Sequence, residues 1–216
     1  TLVKPVYLIY IKRLSKKFIM SIIQSDINFP LNCRQEIIKQ IQDMEEIYNT
    51  ISSEKDLWYF STPITTGPKY YEWLEYREKD KHHNEQNTTY QNVIDYNKKY
   101  ADITVNSLIY NHDAIVINPA KLDIKGWFTE DYLLFWSKII GKCNKVIFAR
   151  NWTKSKGCIY EYYIAKKLNK QCLTEDMFYI DHNDSLFLIK NFLLLLKRKN
   201  LRNNFIQDLY NELIKL

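Results

Sequence analysis

Ser155, Gly157 and Glu161, with Lys154 and Lys156 beside them, are the residues of this 216-residue chain whose types and spacing best suit chemistry. Ser155 is placed to cap a helix start, and Gly157 lets a ligand approach the backbone closely. A helix start points unpaired N–H groups and the positive end of its dipole outward, so with two lysines nearby this one favours an anion. Glu161 lies about 9 Å further along the axis at roughly 1.5 Å per residue, near the span of a sugar phosphate. It is an acid on an otherwise aromatic and aliphatic helix, between Tyr160 and Tyr162.

The elements that must hold these groups follow from the surrounding pattern. Residues 146–149 are a short apolar run of the kind that forms a buried strand, 150–156 are a polar loop, and Ile159, Tyr163, Ala165 and Leu168 recur at helical spacing before a second strand at 171–173. Upstream, 57–61 reads as the first strand, 62–68 as a loop at its carboxyl end, and 90–110 as a helix with Val93, Tyr96, Tyr100, Ile103 and Leu108 on one side. A strand at 113–117, a helix at 127–142 and a last short strand at 177–180 complete the alternation. Strand and helix alternating in this way predict an α/β fold: a doubly wound (flavodoxin/Rossmann-like) parallel sheet of about five strands with helices on both faces. The loops at 62–65, 118–119 and 151–157 then share one sheet edge and make a single cleft.

Helical extensions flank this domain, giving a division into 1–55, 56–182 and 183–216. Residues 6–11 read either as an edge strand or as the opening of a helix through 18–23. Asn32 and Gln35, in capping-box spacing, precede an amphipathic helix marked by Ile37, Ile38, Ile41, Met44, Ile47 and Tyr48. Tyr70, Tyr71, Trp73, Leu74 and Tyr76 form an aromatic cluster that can stack a base or fill a core. Residues 77–87 are charged and polar, an exposed excursion. The stretch 185–216 is one or two helices that dock through a Leu/Ile/Phe stripe.

Composition narrows the function classes. The length allows a sizeable core, and 46% hydrophobic with 15% aromatic residues excludes a disordered chain. The net charge of +6 is scattered, which suits solubility and admits an anionic ligand. Lys197, Arg198, Lys199 and Arg202 form a basic face read as solvated surface, so nucleic acid is not an expected partner. Cys33, Cys143, Cys158 and Cys172 include no Cys-x-x-Cys pair and read as free thiols of a reducing compartment. His82 and His83 are adjacent, a spacing that cannot put both rings on one helix face; no metal and no cofactor is expected. No apolar run approaches the roughly 20 residues of a membrane span, and the first residues lack a signal-peptide layout. The cytoplasm is the expected location. The chain starts on Thr1 rather than Met, as expected of part of a longer product or a trimmed one.

At the residues first described the chain resembles a family. Asn151-Trp152-Thr153-Lys154-Ser155-Lys156-Gly157, followed by Glu161 and Ala165, looks like the gW-x-x-S-x-G-x-x-x-E-x-x-x-A signature of nucleoside 2-deoxyribosyltransferase-like proteins. Ser61-Thr62-Pro63-Ile64-Thr65 is similar to that family's S-G-P-I-T after its first strand, and Val116-Ile117-Asn118-Pro119-Ala120 to its V-I-N-P-A after the second. The three matches fall in the family's order.

The resemblance implies that Glu161 is a nucleophile holding a sugar before a second base, or water, takes it. The chemistry is sound, because cleaving an N-glycosidic bond generates an oxocarbenium-like sugar that a carboxylate can stabilise or trap. Glu161 is then expected to be ionised, favoured by the lysine-bearing helix start. The implied substrate contacts are Ser61, Thr62, Pro63, Asn118, Trp152, Ser155 and Gly157. Ser155 and Gly157 would take a phosphate or 5′-hydroxyl, and Tyr59 or Trp152 would lie near the base. The implied partners are a nucleoside or nucleotide substrate and further copies of the chain in a homo-oligomer. Three positions depart from the family pattern: Trp136 stands where its assisting Asp belongs, Asn144 replaces a second Asp, and Thr62 replaces a Gly. Asp131 is the nearest substitute acid. Two readings follow, an N-glycosidase or glycosyltransferase and a nucleotide-binding or sensing module that kept the fold and lost the reaction.

Overall fold

The computed structural model describes residues 35–50, 55–79, 89–201 and 203–216, and Cys33–Leu216 form one compact unit. The expectations for 6–11 and 18–23, and most of the excursion at 77–87, lie outside the described residues. Four parallel strands, β1 (Asp56–Ser61), β2 (Ala114–Ile117), β3 (Lys145–Phe148) and β4 (Gln171–Thr174), form one sheet in the order β2-β1-β3-β4. Among the described residues there are seven α-helices: α1 (Gln35–Thr50), α2 (Pro68–Lys79), α3 (Tyr90–Asn111), α4 (Thr129–Lys142), α5 (Lys156–Lys167), α6 (His182–Arg198) and α7 (Asn204–Leu213). The fold is α/β and doubly wound. The chain turns one way from β1 to β2 and the other way from β3 to β4, so the topological switch point lies between β1 and β3.

The central strand shows how side-chain alternation builds both layers. Trp58 and Phe60 point to one face, where they join Ala101, Val105 and Leu108 of α3 in a buried cluster. Tyr59 and Ser61 point to the other, where Tyr59 meets Trp136 of α4 and both meet α5. Asn144 fixes the start of the central pair: its side chain accepts from Leu57 N–H at 2.8 Å and its own N–H donates to Leu57 O at 2.7 Å. Outside this layer, α1, with Ile37 and Ile41 buried, packs on α4; the Trp127 Nε1 to Gln40 Oε1 bond of 3.1 Å just before α4 and a Lys138–Glu45 ion pair of 2.8 Å, whose side chains are only 11% and 10% exposed, tie it there.

Several expectations change in detail. The described sheet has four strands rather than about five, because 177–180 form a turn back onto β4. Met177 has φ 66°, and a single antiparallel bridge joins Leu173 to Tyr179. On α3 the buried face is Val93, Asn97, Ala101, Val105 and Leu108, whereas Tyr96 and Ile103 are exposed. Small Ala101 allows the helix close to Trp58 and Phe60, and that approach sets the face more strongly than ring size does. The aromatic cluster after β1 is the helix α2, opened by Pro68 at a position where a missing N–H costs nothing. Its rings pack on one another, on Tyr90 and, through Tyr71, on Phe192 of α6. No helix among the described residues is long and apolar enough to cross a membrane.

Candidate functional site

Because all four strands are parallel, the segments after β1, β2 and β3 leave the sheet at the same edge. At the switch point on that edge, α5 carries Glu161 inward against the end of β1. Tyr59 OH donates to Glu161 Oε1 at 2.7 Å, and Ser61 Oγ donates to Oε2 at 2.5 Å. The i, i+2 spacing of the two donors on a strand is what aims both at one carboxyl group. Glu161 is 7% exposed, and all its helix neighbours from Cys158 to Ala165 are buried too. The helix is therefore embedded all round rather than amphipathic.

Burial governs the electrostatics. It pushes the Glu161 carboxyl up to about 7 from an ordinary 4.5, against the two hydrogen bonds, which pull it down. The carboxyl is therefore only partly ionised near neutrality, where the sequence suggests a full carboxylate, since Glu161 sits beyond the first turn of the helix, in which the dipole acts. Tyr59 is raised well above 10, by burial first and then by the adjacent Glu161, so the phenol stays protonated and remains a donor. Cys158 is likewise raised by burial and stays a neutral thiol.

The loop after β1 is built to stand beside the start of α5. Gly67 adopts φ 104°, and a Cβ there would lie 2.7 Å from Pro63 Cβ, so this turn needs glycine. Buried Asn97 donates to Ile64 O at 2.9 Å and to Thr66 O at 3.3 Å, while Tyr90 OH donates to Thr65 O at 3.0 Å. Thr66 Oγ1 then donates to Ser155 Oγ at 3.1 Å, and Ser155 caps α5 by accepting from Cys158 N–H. Open space lies over Gly157, where a Cβ would meet only Ser155 Oγ at 4.0 Å. Thr62 Oγ1 is buried with no hydrogen-bond partner among the described residues, and Pro63 is buried beside it.

Ser61, Thr62, Pro63, Ser155, Gly157 and Glu161 thus come together around the ends of β1 and β3. Asp131 does not join them: it is buried at the start of α4, its Oδ2 accepts from Phe128 N–H at 2.8 Å, and no hydrogen bond links it to Glu161. Asn118 is taken up by local structure, its Oδ1 accepting from Ala120 N–H and its Nδ2 donating to Asp102. Trp136 is buried against Phe135 and Tyr59 and walls an apolar cavity of about 480 Å³ beside Ile117 and Met44. Trp152 is buried against Phe148 and Tyr162 and faces a different cleft, of about 390 Å³, under α6. Lys156 rests over the Phe205 ring rather than at the open helix start. Among the described residues no cluster of three His, Cys, Asp or Glu side chains can hold a metal.

The sequence alone does not single out Asn97, Thr66 or the Tyr59–Ser61 pair for these roles. Alternation along β1 carries the signal for Tyr59 and Ser61. For Asn97 it is the four-residue spacing from Val93 and to Ala101, which puts an amide on a buried face.

The class defined by fold and site is a doubly wound α/β protein with a buried, hydrogen-bonded acid at its switch point. A family described as a domain of unknown function (DUF4406) matches residues 91–174, from α3 through β4 and including Glu161. No curated protein and no solved structure matches the chain.

Proposed function

We propose that the protein cleaves the N-glycosidic bond of a nucleoside or nucleotide, with Glu161 as the group that takes the sugar, as in the nucleoside 2-deoxyribosyltransferase-like proteins that its three motifs resemble. The observation that carries this reading is the Glu161 carboxyl, buried at the switch point and gripped by Tyr59 and Ser61. Acids with strongly perturbed ionisation in such places are enriched at functional sites, where burial and neighbouring groups tune them to their task. A pKa of about 7 keeps a large share of Glu161 ionised near neutrality and makes it a stronger base than an exposed glutamate.

In the proposed step a Glu161 oxygen attacks the anomeric carbon while the carbon–nitrogen bond breaks and its electron pair leaves with the base, which takes a proton from solvent. Each carboxylate oxygen keeps a lone pair beyond the one that accepts from Tyr59 or Ser61, so both donors can hold the group during attack. Water or a second base then displaces the sugar and returns the free carboxylate. Ser155 and the open space over Gly157 suit the sugar's phosphate or 5′-hydroxyl.

A second reading, a nucleotide-binding module without turnover, is favoured by Trp136 and Asp131. The former fills with an indole the position of the assisting acid in the resembled family, and the latter is engaged at its own helix start. Incubation with a panel of nucleosides and nucleotides, with and without an acceptor base, followed by chromatography, separates the two. Glycosidic chemistry predicts base release or exchange that is lost in Glu161→Gln with folding intact. Binding of the same nucleotide by both proteins without turnover by either establishes the second reading.

A further inference from the structure

We infer that the cleft between the β3–α5 loop and α6 is a second ligand site, separate from Glu161, for a small molecule with a planar apolar body and one anionic group. The cleft holds about 390 Å³, within the range of small-molecule pockets. Its apolar surface comes from Trp152 on the loop and from Leu188, Phe192 and Leu195, spaced one turn apart along α6. Trp152 is locked between Phe148 and Tyr162, with ring centroids at 4.8 and 4.6 Å, and Phe192 is held edge-on by Tyr71 at 5.3 Å. These rings are rigid walls already in place, which is what a flat ligand needs in order to bind without ordering its site.

Besides buried Thr153, three polar side chains border this surface: Asn151, Lys154 and Asn191. None of the three appears in a side-chain hydrogen bond or ion pair among the described residues, unlike the surface lysines Lys69, Lys121 and Lys199, each of which meets a carboxylate. Asn151 also holds a left-handed backbone, φ 57° and ψ 24°, where the chain turns into the loop. An apolar floor with a few unengaged polar groups at its border is the usual composition of a small-molecule site. A lysine and two amides call for one anionic group and a polar edge on the ligand. Because Glu161, Tyr59 and Ser61 do not line the cleft, its occupant is not the group they would act on.

The test uses 1-naphthyl phosphate and 1-naphthoate as anionic probes and 1-naphthalenemethanol as their neutral counterpart, titrated calorimetrically into the full chain. One site per chain is expected, with the anions bound about ten-fold more tightly than the alcohol, a margin typical of one charge-assisted contact. Lys154→Met should bring the anions down to the level of the alcohol. Leu188 is half exposed, so Leu188→Trp can fill the cleft while keeping the wild-type melting temperature, and it should abolish binding of all three. Glu161→Gln should bind like wild type, which keeps this site independent of the glycosidic reading. Equal affinity for the charged and neutral probes, binding that survives in Leu188→Trp, or binding lost in Glu161→Gln would each overturn the assignment.

Discussion

Replacing Glu161 with Gln should make the protein more stable, and increasingly so as pH rises. The folded state holds the Glu161 proton up to about pH 7, whereas the unfolded chain releases it near 4.5. Between those values the folded state binds more protons, so stability falls as pH rises through the window and levels off above it. A difference of about 2.5 pH units at roughly 1.4 kcal/mol each is on the order of 3 kcal/mol, the cost of ionising this acid in its buried place. Gln fills the same volume, still accepts from Tyr59, and can donate to Ser61 once the serine hydroxyl turns to accept. Urea unfolding of both proteins from pH 4 to pH 8.5 should therefore give curves that nearly coincide at the acid end and diverge by up to about 3 kcal/mol at the alkaline end, the variant being the more stable. A constant gap across this range, or a variant that loses ground as pH rises, would refute the reasoning, because Glu161 would then titrate alike in both states or lower in the folded one. A natural chain that keeps such an acid forgoes stability, as is common where activity needs an unfavourably placed group.

The remaining predictions concern the parts that support Glu161. Tyr59→Phe removes a donor to the carboxylate and should move the alkaline end of the Glu161-dependent fall in stability, which the folded-state ionisation sets, to higher pH while the acid end stays in place; an unmoved alkaline end would mean that the hydrogen bond does not act on the ionised form. Gly67→Ala should destabilise by about 1–3 kcal/mol in urea, since it strains a left-handed turn and drives a methyl group into Pro63. Asn97→Ala leaves the Ile64 and Thr66 carbonyls without their amide donor and should cost about 1–3 kcal/mol, with wild-type stability as the contrary result. Glu45→Ala strips the partner from nearly buried Lys138 and should cost about 3 kcal/mol or more, while Glu45→Leu combined with Lys138→Met should recover most of that loss.

Much of this architecture can be read from the chain because each element announces itself locally. The apolar runs of β1, β2 and β3, the Ser155 cap and the helical spacing after it are short-range signals, and together they imply parallel strands with their following loops at one edge. What the sequence conceals is tertiary. The period of α3 admits two faces, and only the contact of Ala101 with Trp58 and Phe60 selects between them. The ionisation of Glu161 shows the same limit from the electrostatic side. Nearby lysines suggest an anion, but Lys156 turns to Phe205 and Lys154 to the α6 cleft, so burial outweighs them. Asp131 and Asn118 look chemical by residue type, yet each is engaged in capping its own segment, a common use of Asp and Asn at helix starts.

The most direct test of the glycosidic reading is peptide mass analysis after rapid acid quench of the protein mixed with a substrate that it turns over. The account predicts a sugar-sized mass increase on the peptide containing Glu161 in the wild type, and neither the adduct nor base release in Glu161→Gln. Base release at the wild-type rate in Glu161→Gln, with the peptide unmodified in both proteins, would contradict it.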